Sequence, residues 1–316
     1  MGKALNGERT RLVIGTRGSR LALWQAGWVQ ARLQELAPGL TIEIQRIRTS
    51  GDKILDVPLA KIGGKGLFIK EIEEALLRKE VDVAVHSMKD VPSELPSGLA
   101  ILCVPPREDP HDAWIGKDRV TLTKLKSGAK VGTSSLRRQA QLLSHRSDIT
   151  IKMLRGNLDT RLRKLQEGEF DAIVLAAAGL KRLGWDDQIT ELLTLDVSLP
   201  AIGQGALGIE SRNDDDFVRQ LLVPLNHHET HVAISAERAL LAGLEGGCQV
   251  PIAGHAVVEN DTVTIRGLVA SVDGKRVIRD QVTGPAKEAS QLGEKLAGRL
   301  LQAGGDKILN EIYGRA

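Results

Sequence analysis

The chain has 316 residues, and 43 Lys and Arg against 40 Asp and Glu leave a formal charge of +3 with histidines neutral. At roughly 100–200 residues per domain this length predicts two or three domains, each able to bury its own core. An apolar fraction of 42% with 26% charged excludes a disordered or collagen-like chain, and four Trp, three Phe and one Tyr are too few for a base-stacking nucleic-acid platform.

Taken in chain order, the pattern alternates strands and helices. Arg11–Gly15 is a short β-rich run. Ser19–Ala37 reads as a helix, with Ser19 as N-cap and Leu21, Trp24, Trp28, Leu33 and Leu36 on one face. Thr41–Arg48 is a strand, Gly66–Lys79 a helix and Val81–Val85 a buried strand. The second third repeats the plan: strand Lys130–Gly132, helix Ser134–His145, strand Ile149–Leu154, helix Asn157–Gln166, strand Asp171–Leu175. Ile14-Gly15-Thr16 enters its helix as Val131-Gly132-Thr133 enters the counterpart, which points to two similar α/β lobes with largely parallel sheets facing across a cleft. The last third differs. Helix His228–Leu241 and the turn Glu245-Gly246-Gly247-Cys248 precede three β-rich runs, Ile252–Val258, Val263–Val269 and Arg276–Val282. Hairpin turns at Glu259-Asn260-Asp261 and Asp273-Gly274 make these antiparallel, and Ala286–Leu301 closes as an amphipathic helix. The expected architecture is α/β, with two periplasmic-binding-protein-like lobes and a small α+β third domain bearing a three-stranded antiparallel sheet. The boundaries are 9–105 with 200–223, then 106–199, then 224–316.

Two cysteines exclude a disulfide scaffold and a zinc site built of cysteine alone. Met1–Thr10 is polar, and the longest apolar run, Ala172–Leu180, is far below the ~20 residues of a membrane span. A cytoplasmic protein is expected, with no nucleic-acid, membrane or obligate protein partner.

Charge is unevenly spread: Lys130–Lys164 alone carries +7, so the rest of the chain carries −4. Arg137 and Arg138 come after Thr133-Ser134-Ser135, where a strand gives way to a helix, and Arg155 and Arg161 flank a similar entry at Gly156-Asn157. Helix N-termini attract anions, and guanidinium forks suit carboxylates or phosphates. Arg17, Ser19 and Arg20 occupy the matching place in the first lobe. Gly63-Gly64-Lys65-Gly66 lacks the spacing of a phosphate loop and reads as a mobile loop with Lys61 and Lys65 as cations. Gly203–Gly208 matches GxGxxG but succeeds Leu199-Pro200 instead of a strand, so it reads as a glycine-eased crossing between lobes. His227, His228 and His231 have the wrong register for a zinc protease, and no metal site is expected. Asp90, just beyond a buried strand, is either a carboxylate that stabilises positive charge or handles a proton, or an ion-pair partner. Cys103 reads as core; the spacing of Cys248 leaves nucleophile, tether or inert thiol open.

Together these segments resemble the porphobilinogen deaminase (hydroxymethylbilane synthase) family. The matching stretches are Gly15–Ser19 with Leu21-Ala22 and Gln25, Lys61–Phe68, Val85–Pro92, Val131–Arg138, Leu154–Asn157 with Arg161, Leu199–Gly208 and Leu244–Ile252. His111, where many members have Arg, and the lengthened N-terminus depart from it. The resemblance implies stepwise head-to-tail condensation of four porphobilinogen molecules with loss of ammonia, and release of hydroxymethylbilane by hydrolysis. It implies a dipyrromethane cofactor on Cys248 through a thioether, and Asp90 as the catalytic carboxylate that stabilises the azafulvene-type cation left when ammonia departs. Carboxylate side chains of cofactor and substrate would be bound by Arg17, Ser19, Ser87, Lys89, Thr133, Ser134, Ser135, Arg137, Arg138, Arg155, Arg161, Arg182 and Gln204. Lys61, Lys65 and Phe68 would lie on an active-site loop. A non-catalytic two-lobed anion-binding protein is the rival reading.

Overall fold

A computed structural model describes residues 9–53, 68–246 and 250–314. The described chain divides into two compact units: 9–53, 68–107 and 206–231 form the first, and 108–205, 232–246 and 250–314 the second.

The first unit holds β1 (Arg11–Thr16), β2 (Thr41–Arg46), β3 (Val83–Ser87), β4 (Leu99–Cys103) and β10 (Leu207–Arg212), in the order β2-β1-β3-β10-β4. β2 and β3 run parallel to β1, and β10 is antiparallel between β3 and β4. Both faces are buried. Leu12, Ile14, Val83 and Val85 pack on one side with Ala26, Val29 and Leu33 of helix Arg20–Leu36, while Val13 and Ala84 face Ile72 and Leu76 of helix Lys70–Leu77. That is why these strands read as unbroken apolar runs.

Helix Arg20–Leu36 buries Gln25, Ala26, Val29 and Leu33, whereas Trp24 and Leu36 are 38% and 44% exposed. The buried stripe is therefore rotated from the one marked by the largest apolar side chains. Small residues let the helix lie close to the sheet, and Gln25 turns inward because its amide Nε2 donates to Ser87 Oγ at 3.0 Å.

The second unit repeats the sheet with β5 (Asp112–Gly116), β6 (Lys130–Gly132), β7 (Thr150–Lys152), β8 (Ala172–Ala176) and β9 (Glu191–Leu193), ordered β7-β6-β8-β5-β9. β6 pairs parallel with β7 and β8, and β5 is antiparallel between β8 and β9. Strand for strand this is the first sheet again, and in each the antiparallel member, β10 or β5, is the first sheet strand after the chain has left the other unit. The sheets are therefore mixed, not simply parallel.

The second unit also contains β11 (Ile252–Glu259), β12 (Thr262–Ala270) and β13 (Val277–Pro285), an antiparallel sheet. Asn260 and Asp261 both have positive φ, 47° and 58°, as a two-residue hairpin requires. Leu292, Leu296 and Leu300 of helix Ala289–Leu300 cover one face with Leu240 and Ile308. A smaller cluster of Ala140, Leu199, Ala253, Leu268 and Ala270 joins this sheet to helix Leu136–His145. Among the described residues no helix is long and apolar enough to cross a membrane.

Candidate active site

In the first unit the ends of β1 and β3 are knit together. Ser19 caps helix Arg20–Leu36, its Oγ accepting the Ala22 N–H at 3.3 Å, and Gln25 one turn on reaches Ser87 at the end of β3. Past Ser87 the chain makes one tight turn, Met88–Asp90, anchored by the Met88 N–H to Ala206 O at 3.0 Å. Carboxyl ends of strands are where α/β sheets bind ligands. Lys89 and Asp90 are half-buried there. Among the described residues the Asp90 carboxylate has neither a hydrogen bond nor an ion pair, so the ion-pair reading of this residue finds no partner in them. Arg17 stacks its guanidinium 4.2 Å from the centre of the Phe68 ring, a cation–π contact.

In the second unit Thr133 and Ser135 build the corresponding helix entry. Thr133 Oγ1 accepts the Ser135 N–H at 3.2 Å, and Ser135 caps helix Leu136–His145 by accepting from Arg138 N. Ser134 is exposed. Arg137 and Arg138 are not open cations; they are 4% and 6% exposed and converge on Asp112, which is fully buried. Arg137 Nη1 also donates to Leu199 O at 2.6 Å, and Arg138 Nη1 to Val174 O at 2.9 Å. Burial alone would raise the Asp112 carboxyl, but the charges and hydrogen bonds of Arg137 and Arg138 hold it well below the usual carboxylate range. Two guanidiniums share one carboxylate, so the cluster keeps one net positive charge. Burial draws the Arg138 guanidinium down, and the Arg137 charge adds to that.

Asn157 caps helix Leu158–Gln166 by accepting the Thr160 N–H at 3.0 Å, and Arg161 Nε donates to Gly156 O at 2.8 Å. Arg155 and Arg161 are half-buried. Arg182 is more telling. It is 9% exposed, and its one hydrogen bond among the described residues runs from Nη2 to Gly205 O at 2.7 Å. Burial lowers its pKa to about 10, with Glu108 countering. A buried cation supported by a single carbonyl calls for an anion. Gln204 donates to Pro110 O at 2.7 Å and Asp112 Oδ1 at 3.0 Å, which ties the crossing segment to the Arg137–Arg138 cluster. Gly205 has φ +88°, and a Cβ there would lie 2.2 Å from Glu108 O, so the crossing does depend on glycine.

Lys61, Lys65 and Cys248 lie outside the described residues. Cys103 is core, fully buried, with burial pushing its thiol up to about 12. His227 and His231 serve the helix entry, through Thr230 Oγ1 and Asn226 Oδ1, both at 2.9 Å. Two features were not read from the sequence: Asp112, and a buried group of Glu73, His86 and Glu210. The adjacent arginines could have prompted a search for a carboxylate, but nothing in the spacing selects Asp112.

Residues 12–220 match the family described as porphobilinogen deaminase, dipyromethane cofactor binding domain, and residues 231–302 match porphobilinogen deaminase, C-terminal domain. The chain belongs to the porphobilinogen deaminase family. It is 58% identical to a porphobilinogen deaminase of Trichlorobacter lovleyi over 96% of this chain and 97% of that one, and 57% identical to one of Geobacter sulfurreducens over 96% of each. Among solved structures it is similar to the periplasmic aliphatic sulphonate binding protein SsuA of Escherichia coli, at 15% identity and a TM-score of 0.39 over 75% of this chain and 71% of that one. Membership makes the chain a transferase of tetrapyrrole biosynthesis with a dipyrromethane cofactor, not a passive anion binder. The donor set fits such a polycarboxylate group: the buried Arg182, with one carbonyl partner among the described residues, and the net positive Arg137–Arg138–Asp112 cluster both offer positive charge to it.

Proposed function

We propose that the chain condenses porphobilinogen with Asp90 as its one catalytic carboxylate and the arginine-rich helix entries as carboxylate receptors. When bound through the Cys248 thioether, the dipyrromethane supplies the pyrrole onto which substrate is added. Asp90 accepts hydrogen bonds from pyrrole N–H groups and stabilises the substrate cation formed as the aminomethyl C–N bond breaks and ammonia departs. The observation that carries this reading is the half-buried Asp90 carboxylate at a strand end, without an ionic partner among the described residues. A carboxylate already neutralised by Lys or Arg would have little left to offer a developing cation.

Arg17, Ser19, Ser87 and Lys89 of the first unit, and Thr133, Ser134, Ser135, Arg155, Arg161 and Arg182 of the second, receive acetate and propionate groups in this scheme. Arg137 and Arg138 act through the charge that Asp112 leaves unbalanced, with Gln204 holding that cluster. Lys61, Lys65 and Phe68 belong to the active-site loop, and the Arg17–Phe68 stack supports a link between loop and receptor. We keep the three-part division at 9–105 with 200–223, 106–199 and 224–316, supported by the change of family match between residues 220 and 231. A cytoplasmic location and action without nucleic-acid or obligate protein partners complete the reading.

The test is an intact mass of purified protein from a haem-competent host. The expected result is an excess of one dipyrromethane unit, lost in Cys248→Ser. A wild-type mass equal to the bare sequence would sink the assignment.

A further inference from the structure

Glu73, His86 and Glu210 come from three elements of the first unit and are all buried, at 7%, 4% and 0% exposure. Glu210 on β10 is the register partner of Ala84, and His86 on β3 that of Gly208, so the two side chains lie diagonally on one sheet face. Their contact is His86 Nε2 to Glu210 Oε2 at 2.9 Å. Glu73 belongs to helix Lys70–Leu77, which covers that face. Glu73 Oε1 and Glu210 Oε1 are both buried with no hydrogen-bond partner among the described residues. Two carboxylates and one imidazole are thus enclosed together, and full ionisation would leave an unbalanced negative charge in an apolar setting.

The other charged groups on the surrounding elements are paired or, in the case of Lys70, exposed. On the same helix Glu71 takes Ser50, Glu74 pairs with Arg78, and Lys70 lies at the first turn. β1 contributes Arg11, paired with Glu43, and β10 also contributes Arg212, committed to Leu76 O, Val81 O, Asp82 and Asp215. β4 carries no charged side chain, and its Cys103 thiol is neutral. Burial first and the Glu210 charge second raise the Glu73 carboxyl to about 7, with His86 opposing.

The cluster borders the candidate site along the chain. His86 immediately precedes Ser87, which is bonded to Gln25, and stands four residues before Asp90. β10 is entered from Ala206, whose carbonyl anchors the Met88 turn. Helix Lys70–Leu77 begins next to Phe68, which stacks on Arg17.

We propose that Glu73, His86 and Glu210 are positioning residues for the condensation: one proton held on Glu73 preserves the His86–Glu210 contact, which fixes the end of β3 and with it Lys89 and Asp90. The kinetic part rests on the assignment of Asp90; the proton-holding part does not, and the two are measured separately.

The proton is read by infrared spectroscopy of the holoenzyme. A protonated-carboxyl C=O stretch that disappears between pH 6 and 8 and is missing in Glu73→Gln is the expected result. Absence of such a band from the wild type at pH 6 overturns the cluster. Thermal midpoints give a second reading. The wild type should lose stability relative to Glu73→Gln as pH rises from 5.5 to 8.5; a pH-independent difference overturns it. For positioning, Glu210→Gln should lower kcat by about 10- to 100-fold with KM changed far less, and an unchanged kcat in folded protein refutes that part. If Glu210→Gln does not fold, His86→Asn carries the same expectation. Should Asp90→Asn retain turnover while the band and the midpoint shift are found, the Asp90 assignment fails and the proton cluster stands.

Discussion

Two single residues carry most of the chemistry proposed for this chain, and their surroundings make opposite demands. Asp90 is a carboxylate without an ionic partner among the described residues, and Arg182 is a buried cation that meets one carbonyl among them. Asp90→Asn keeps the shape and removes the charge, so secondary structure should survive while kcat falls by about 10²–10⁴; a kcat near wild type in a porphobilinogen-consumption assay would reduce Asp90 to a bystander. Arg182→Met tests the other side. Without an anion its guanidinium is poorly satisfied, so the substitution should leave the stability of cofactor-free protein within ~1 kcal/mol while impairing assembly of the cofactor on the protein. Denaturant titration and intact mass of the same preparation separate the two effects. The motif around Val85–Pro92 singles out Asp90 in the sequence; the burial of Arg182 has no such local mark, and its one hydrogen bond among the described residues reaches Gly205, 23 residues away.

Helix entries recur at the level of elements. Ser19, Ser135 and Asn157 each accept a backbone N–H in the first turn, and each stands beside arginines. Asn157→Ala should cost about 1 kcal/mol in chemical denaturation, as other lost N-caps do; no loss would mean that water replaces the cap without penalty. These entries were readable because a cap is a local event between residues three apart. The buried stripe of helix Arg20–Leu36 was misjudged for the complementary reason. Size and hydrophobicity selected Trp24 and Leu36, but the sheet beneath selects residues small enough to approach it and a glutamine with a partner on β3. The pairing of Arg137 and Arg138 with Asp112, 25 and 26 residues away, is likewise a contact that local spacing does not mark.

Stability against pH and the crossing segment belong to the whole molecule. Asp112, Asp109 and Asp215 all have carboxyls held below their ordinary range, so the stability they contribute is present above about pH 4 and is lost as pH falls. Glu73 acts in the other direction. Its carboxyl is raised to about 7, so its contribution is present below about pH 4.5 and is lost as pH rises through 7, by at most ~3 kcal/mol. The Glu73 share of the thermal midpoint should therefore fall between about pH 4.5 and 7 and level off above; a difference between wild type and Glu73→Gln that still grows above pH 8 would contradict this. At the crossing, Gly205→Ala forces a side chain into φ +88° against Glu108 O and should cost about 1–3 kcal/mol, measured by denaturant midpoint.

Neighbouring residues alone were enough to read the alternation of strands and helices, the duplicated α/β plan, the separate β-rich final third and the family, because apolar periodicity, caps, turns and motifs are local patterns. Which charges are already spent was visible only in three dimensions. Asp112 neutralises one of two adjacent arginines, Asp90 meets no ionic partner among the described residues, and Glu73, His86 and Glu210 are enclosed together. A net charge counts every ionisable group alike, whereas burial and pairing, set by contacts across the fold, determine which of them can act on a ligand.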